Sequence, residues 1–352
     1  MDKAKAIYYL ENSFLQSLLT NEDVTDISYN GQDIYYVSNE YGRQKSDIVI
    51  EQQAVRDFLR QIANVAEQQF SFTNPFLDIA IDKYRINATH QSIGKINNED
   101  VVTFSIRIAS IKPRIESDSE FFTPLIVELI KVITSSHKSI VIGGVTSSGK
   151  TEFQKYILRN LSINERVIVV DNVLELDMVR SQSQIDLTCW RVDEKNPSAS
   201  ASLLIKNALR NNPDWLILAE ARDKEMVDVL NSAMTGMPLI TTIHAYDVNS
   251  LPFRMGRMVL KGDQKLDYGE TLKDIYYHFH FYFYLEKKTV NEKIIRHISS
   301  IGFIDNNGKF FYLYQRKDNK HIYHRFPEVV NKYLELNDVS ILFRQTFLGE
   351  QL

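Results

Sequence analysis

Ser139-Ile140-Val141-Ile142-Gly143-Gly144-Val145-Thr146-Ser147-Ser148-Gly149-Lys150-Thr151 is the stretch on which the fold turns. Ile140 to Ile142 is apolar without interruption, as in a strand buried on both faces of a helix-covered parallel sheet. Gly144 to Thr151 then fits the pattern G-x-x-x-x-G-K-[ST]. Beyond it Phe153, Tyr156, Ile157 and Leu161 supply the inward face of a helix. Strand, glycine loop and helix in that order form a phosphate cradle. Gly144 and Gly149 permit the sharp turn, and the backbone N–H groups around Thr146, Ser147 and Ser148 face phosphate oxygens. Lys150 reaches the β and γ phosphates and the Thr151 hydroxyl ligates Mg²⁺. ATP with Mg²⁺ is the expected cofactor set.

The same rhythm continues outward. Short apolar runs recur at 167–170, 215–218 and 239–243 with helical patterns between most of them, which predicts an α/β domain. A helix start is expected at Thr123-Pro124, a capping hydroxyl followed by a proline at the first helical position. Trp215-Leu216-Ile217-Leu218-Ala219-Glu220 is a buried strand running into a carboxylate at the edge where parallel sheets present residues to ligands. Glu220 can polarise an attacking water or hold the magnesium shell; capping the following helix is the alternative. Asp171 follows another buried strand, with Glu175 four residues on. The pair either adds carboxylates to that edge or forms a solvated turn.

Toward the N-terminus the patterns are shorter and mixed. Strands are expected at 24–29, 33–38, 85–89 and 101–108 around a helix with Val55, Phe58, Leu59, Ile62, Val65 and Ala66 on one stripe. These predict a smaller α+β domain over 1–111, which opens on an amphipathic helix carrying Ile7, Leu10, Phe14 and Leu18. Residues 112–122, polar and broken by Pro113, read as a linker. The second domain is expected over 123–305. Its residues 276–285 alternate in one aromatic strand, with further strands at 293–304 and 309–316. Residues 306–352 carry no motif.

Composition narrows the function. With 352 residues, two domains are expected. Forty-one basic against 45 acidic side chains leave a net charge of −4, which argues against a nucleic-acid binder. The single cysteine, Cys189, cannot form an intrachain disulfide, so a reducing, cytoplasmic compartment is the default. No run approaches the roughly 18–20 apolar residues of a spanning helix, so membrane contact is expected to be peripheral.

Four segments together carry a more specific signal: DVTDISYNG (23–31), GVTSSGKT (144–151), LRNNPDWLILAEARD (209–223) and TGMPLITTIHA (235–245). The combination resembles the secretion-superfamily ATPases of type II and type IV secretion, type IV pili and Tad pili, nearest the VirB-type and Tad branch. The resemblance covers about residues 18–305. It implies a RecA-like P-loop ATPase domain behind an N-terminal domain, a homo-hexameric ring and inner-membrane partners in a secretion or pilus machine. By position, Glu220 matches the family's Walker B glutamate, Glu175 the second acid of its Asp box and His244 the last histidine of its His box. Arg85 (KYRINA) and Arg107 (FSIRI) match the arginines that reach the γ-phosphate. Guanidinium forks suit that charge, although ordinary surface pairing is the simpler use of either. Arg210 and Arg222 also fall in the motifs and could equally brace the sheet edge.

This chain departs from the family in two places: Asn172 stands where the Asp box has an acid, and Met237 replaces the first His-box histidine. The leading expectation is an ATPase of a type IV secretion or conjugation machine. A Tad pilus assembly ATPase and a slowly hydrolysing, nucleotide-gated scaffold are the alternatives. His278 with His280, and His321 with His324, lack a third ligand and are not read as metal sites.

Overall fold

The computed structural model describes residues 3–110, 115, 121–193, 196–262 and 265–351. They group into two units: residues 1–111 with 288–295, and residues 112–287 with 296–352.

In the first unit the N-terminal amphipathic stretch is two helices rather than one, α1 (Lys3–Glu11) and α2 (Gln16–Leu19). Asn12 and Ser13 bond back to the carbonyls of Tyr8 and Leu10, an alternative to continuing the helix. Strands β1 (Val24–Tyr29), β2 (Ile34–Ser38) and β3 (Gly42–Lys45), helix α3 (Gln52–Val65), and strands β4 (Phe76–Ile81), β5 (Tyr84–Thr89), β6 (Lys95–Ile96), β7 (Glu99–Asp100) and β8 (Thr103–Ile108) follow. Six of them form an antiparallel sheet in the order β3-β2-β1-β8-β5-β4. Alternation puts Ile27, Ile79, Ile86, Phe104 and Ile106 on the face that α3 covers with Val55, Phe58, Leu59 and Ile62. The opposite face carries Asp26, Asp78, Arg85 and Arg107. Residues 288–295 join this unit, where the Ile294 N–H donates to the Glu40 carbonyl at 2.6 Å and Lys293 pairs with the Glu40 carboxylate.

The second unit begins with α4 (Pro124–Ser135), capped as expected: the Thr123 hydroxyl accepts from the Ile126 N–H. There follow β9 (Ile140–Gly144), α5 (Lys150–Arg159), β10 (Arg166–Asp171), β11 (Asp186–Arg191), α6 (Ala201–Ala208), β12 (Trp215–Leu218), α7 (Glu225–Met234), β13 (Leu239–Ile243), α8 (Leu251–Leu260) and α9 (Tyr268–His278). The rest is β14 (Phe281–Val290), β15 (Lys293–Ile304), β16 (Phe310–Lys317), β17 (Lys320–Tyr323), α10 (Glu328–Asn331) and α11 (Ile341–Phe343). Nine strands make one sheet in the order β11-β10-β12-β13-β9-β14-β15-β16-β17. The first six are parallel and β15 to β17 run antiparallel to one another.

Each face of the parallel part has its own apolar layer. Ile140, Ile142, Val167 and Val169 pack with α4 and α5, while Val141, Ile168 and Val170 pack with α6, α7 and α8. Two-sided burial is why these strands read as unbroken apolar runs. Residues 306–352 belong to the same body: β16 and β17 extend the sheet, and Phe326, Val330, Phe343 and Phe347 join the α4–α5 layer.

The aromatic strand predicted over 276–285 is corrected. Residues through His278 finish α9, and the strand starts only at Phe281. Asp267 accepts from the Glu270 N–H and starts the helix, with Thr271 and Ile275 turned inward, and this cap overrides the alternation downstream. The predicted linker, 112–122, lies outside the described residues except Ile115, Phe121 and Phe122. All three are buried in the second unit, where the Phe122 ring stacks on Tyr156 at 4.0 Å between centroids. Among the described residues no helix is long and apolar enough to cross a membrane.

Candidate active site

Three neighbouring parallel strands, β12, β13 and β9, end side by side, and each delivers one element of the site. Past β9 the chain turns through Val145, Thr146 and Ser147, which are exposed, and re-enters at the start of α5. Ser147 (φ +61°) and Gly149 (φ +97°) are both left-handed, and only glycine takes that conformation without steric cost. At Gly144 a methyl group would lie 2.4 Å from the Ser148 Oγ and 2.6 Å from the Leu285 carbonyl, so no side chain fits. The Ser148 Oγ is buried and makes no hydrogen bond among the described residues. The first turn of α5 also leaves its amides without intrahelical partners, at the positive end of the helix dipole.

Lys150 is buried, and its ammonium donates to the carbonyls of Gly144 and Val145 at 2.9 Å each. It also lies 3.4 Å from His244 Nδ1. Burial pushes its pKa down to about 8, against the pull of the Glu220 charge. His244 follows β13 directly, and its Nε2 is 3.1 Å from Glu220 Oε1. Burial, then the Lys150 charge, hold this imidazole below its ordinary pKa. The neutral tautomer that accepts from Lys150 at Nδ1 and donates to Glu220 from Nε2–H satisfies both contacts.

Glu220 stands two residues past β12, with Oε2 accepting from Arg222 at 2.7 Å. Burial alone would raise its pKa. The hydrogen bond and charge of Arg222, then His244 and Lys150, outweigh burial and hold it below the carboxylate range. Glu220 is therefore a carboxylate with both oxygens engaged. It does not cap α7: the contact of that kind comes from Glu225, which accepts from the Arg222 N–H at 3.2 Å. Thr242 of β13 fixes the chain on both sides of Glu220. Its hydroxyl donates to the Ala219 carbonyl at 2.7 Å, and its own carbonyl accepts from the Ala221 N–H at 3.0 Å.

At the end of β10, Asp171 is buried, its Oδ1 accepts from the Val173 N–H at 3.1 Å, and the nearby backbone amides of Leu176, Glu175 and Asn172 favour its charged form. Burial nevertheless raises its pKa, and its Oδ2 has no hydrogen-bond partner among the described residues. Glu175 opens the helical turn Glu175–Gln182, and its backbone amide is among those that favour the Asp171 carboxylate. Met237 is packed against the α6–α8 apolar layer. Thr151 lies in the first turn of α5, half-buried.

In the first unit Arg85 and Arg107 sit directly opposite one another on β5 and β8. Each is held by a carboxylate on the adjoining strand, Arg85 by Asp78 and Arg107 by Asp26, both at 3.2 Å. The surface pairing left open by the sequence is thus present for both. The register does more than pair them, since it places two guanidinium groups side by side on one open face.

The other histidines are engaged separately. His278 ends α9, and buried His280 lies 2.9 Å from the Ile304 carbonyl through Nδ1. His321 is bonded to Tyr314 and His324 to Gln315. Cys189, on β11, is partly buried against the α4–α5 layer. Among the described residues no group of three or more His, Cys, Asp or Glu side chains is arranged to hold a metal ion.

Sequence reading missed Thr242 and Arg296. The first lies inside a quoted motif but was not singled out. The second, on β15, donates from Nε to the Ser147 carbonyl at 2.9 Å, and no local pattern marks it.

Residues 117–272 match the family described as type II/IV secretion system proteins. An uncharacterized protein of Bacillus anthracis is 27% identical over 79% of this chain and 64% of its own length. The type IV secretion system protein VirB11 of Brucella suis is 29% identical over 47% of each chain. The chain thus spans less than two thirds of either relative. Among solved structures, the Legionella pneumophila ATPase DotB superposes with a TM-score of 0.60 at 19% identity, covering 84% of this chain and 80% of that one. The fold is shared at that distance, and the loop and strand-end residues, 144–151, Glu220 and His244, fall within the segment that matches the type II/IV secretion system family.

Proposed function

We propose that this protein is an ATPase whose hydrolysis drives transport or assembly in a type IV secretion or conjugation machine, working as a homo-hexamer with inner-membrane partners. One observation carries the chemistry: Lys150, His244 and Glu220 form a connected chain across the ends of three adjacent strands, beside a glycine loop. The donor set fits a nucleoside triphosphate. The left-handed loop, the buried unpartnered Ser148 Oγ and the start of α5 suit phosphate oxygens, with Gly144, Thr146, Ser147, Ser148, Gly149 and Lys150 in contact. Bound Mg²⁺, with the Thr151 hydroxyl as its protein ligand, would neutralise charge developing between the phosphates. Glu220, already ionised, orients and deprotonates the attacking water. His244 ties that carboxylate to Lys150, so both keep one geometry. Glu175 adds negative charge near the magnesium shell, and Arg85 and Arg107 stabilise the γ-phosphate.

Phosphate release from the purified protein with ATP and Mg²⁺ tests the reading. Steady turnover supports a motor. Tight ATP binding with no release supports the nucleotide-gated scaffold, a reading favoured by Asn172 and by Met237, whose side chain packs into an apolar layer. No binding of ATP or ADP would overturn both.

The depressed Lys150 pKa sets a pH dependence. Phosphates require the ammonium, and the nucleotide-free protein loses that proton as pH rises through about 8. ADP affinity should therefore fall above pH 8, with binding that takes up a proton. Calorimetry at pH 7 and pH 9, in two buffers of different ionisation heat, should show uptake near zero at pH 7 and close to one at pH 9. Equal uptake at both would show that Lys150 is not the group that titrates. Stability moves the other way: the unfolded chain, with its lysine near 10.5, binds more protons between those values, so this group adds stability as pH rises.

Arg107→Ala should reduce the melting-temperature difference between a slowly hydrolysed ATP analogue and ADP, leaving the response to ADP nearly intact. Nucleotide at 100 times its dissociation constant stabilises by about 2.7 kcal/mol, enough to resolve the two. A mutant that keeps the full ATP-over-ADP difference would remove Arg107 from the site. Light scattering of the wild type in the same series tests the ring. A strict monomer in every nucleotide state would contradict it.

A further inference from the structure

We propose that Arg296, on β15 and far from the loop in sequence, is a positioning residue that holds the phosphate loop and, through it, the Lys150 ammonium. This rests on the nucleotide site proposed above.

The contacts form a continuous path. Arg296 Nε–H donates to the Ser147 carbonyl at 2.9 Å. Across the same planar peptide unit, the Ser148 N–H donates to the Val145 carbonyl at 3.3 Å. That carbonyl is one of the two that receive Lys150 Nζ, at 2.9 Å. The peptide between Ser147 and Ser148 is therefore gripped at both ends, from outside by Arg296 and from inside by the acceptor it shares with Lys150. Hydrogen bonds in series polarise one another, so the Arg296 contact strengthens the Ser148 N–H bond that fixes the carbonyl on which Lys150 also rests.

The loop needs such a grip because Ser147 carries a side chain at φ +61°, a conformation that costs a non-glycine residue free energy and persists only where its surroundings enforce it. On the other side of the turn, a methyl group placed on Gly149 would lie 3.8 Å from Arg296 Cδ and 3.7 Å from a ring carbon of Phe121. The stem of Arg296 and the Phe121 ring thus flank the loop's second glycine, and Phe121 itself is 1% exposed. The guanidinium supplies direction and the stem supplies packing, so the two can be separated by substitution.

Arg296→Met keeps an apolar stem and removes the donor; Arg296→Lys keeps a charged donor without the rigid fork. Isothermal titration with ADP and Mg²⁺ is expected to show binding about tenfold weaker in Arg296→Met, equivalent to about 1.4 kcal/mol, and an intermediate loss in Arg296→Lys. The nucleotide-free melting temperature of Arg296→Met should stay within a few degrees of wild type. Wild-type affinity in Arg296→Met would overturn the proposal. So would a large drop in melting temperature with affinity preserved, in either variant, since that describes packing alone. If the wild type itself binds no nucleotide, the proposed function fails first and is distinguished by that result.

Discussion

Lys150→Ala is expected to lower ATP hydrolysis by at least about 10²-fold, the loss typical of removing one preorganised donor from developing phosphate charge, while the chain stays folded. The lysine is a costly residue to keep where it is. It is buried, its pKa is depressed to about 8, and its ammonium is held by two loop carbonyls and the His244 ring. A buried cation with a penalised charge contributes little to stability, so alanine should leave melting near wild type without nucleotide. It should abolish most of the stabilisation that ADP and ATP provide. Phosphate release and melting with and without nucleotide make the two measurements. Turnover close to wild type in this variant would show that the glycine loop is not where the phosphates are held.

How far the sequence could be read depended on whether a feature is written in local spacing. The glycine loop is local: its turn, its lysine and its helix occupy consecutive residues, and strands buried on both faces leave unbroken apolar runs. Residues 276–285 misled because alternating aromatics fit a strand, while the feature that governs the first part lies upstream, in the Asp267 cap. Residues 306–352 gave no pattern because their contribution is dispersed. Phe326, Val330, Phe343 and Phe347 enter the core from short turns whose spacing follows no single period. Thr242 and Arg296 act on backbone carbonyls of distant segments, and a carbonyl has no sequence identity. Neither could be found by matching residue types.

The Arg85 and Arg107 pair shows the opposite relation. Their spacing in sequence says nothing, but strand pairing sets them in register. Like charges directly opposite on a sheet repel, and Asp26 and Asp78 offset that repulsion. Exposed pairs of this kind are worth no more than about 1 kcal/mol each, so either arginine can leave its carboxylate at small cost.

Glu220→Gln is expected to leave ATP bound and to reduce turnover by about 10²-fold or more, the usual range for losing a positioned general base. Glutamine has nearly the same shape, and its amide oxygen can still accept from Arg222. Thr242 holds the backbone on either side, at Ala219 and Ala221, whatever occupies the position. The geometry should therefore survive. Three things change. The group can no longer take a proton from water, it no longer supplies negative charge near magnesium, and its NH₂ faces a His244 Nε2 that had been a donor. The imidazole must then switch tautomer, placing a proton on the nitrogen that accepts from Lys150 and weakening that contact. A modest fall in ATP affinity follows, in addition to the loss of turnover, and it should be larger above pH 8, where Lys150 lacks the Glu220 charge that favours its protonated form. Fluorescent-nucleotide binding and phosphate release on the same preparation separate the two effects. A variant that binds no ATP and fails to fold would make Glu220 a structural residue, whereas one that hydrolyses ATP at the wild-type rate would move the general base elsewhere, with Asp171 and Glu175 the next carboxylates to test.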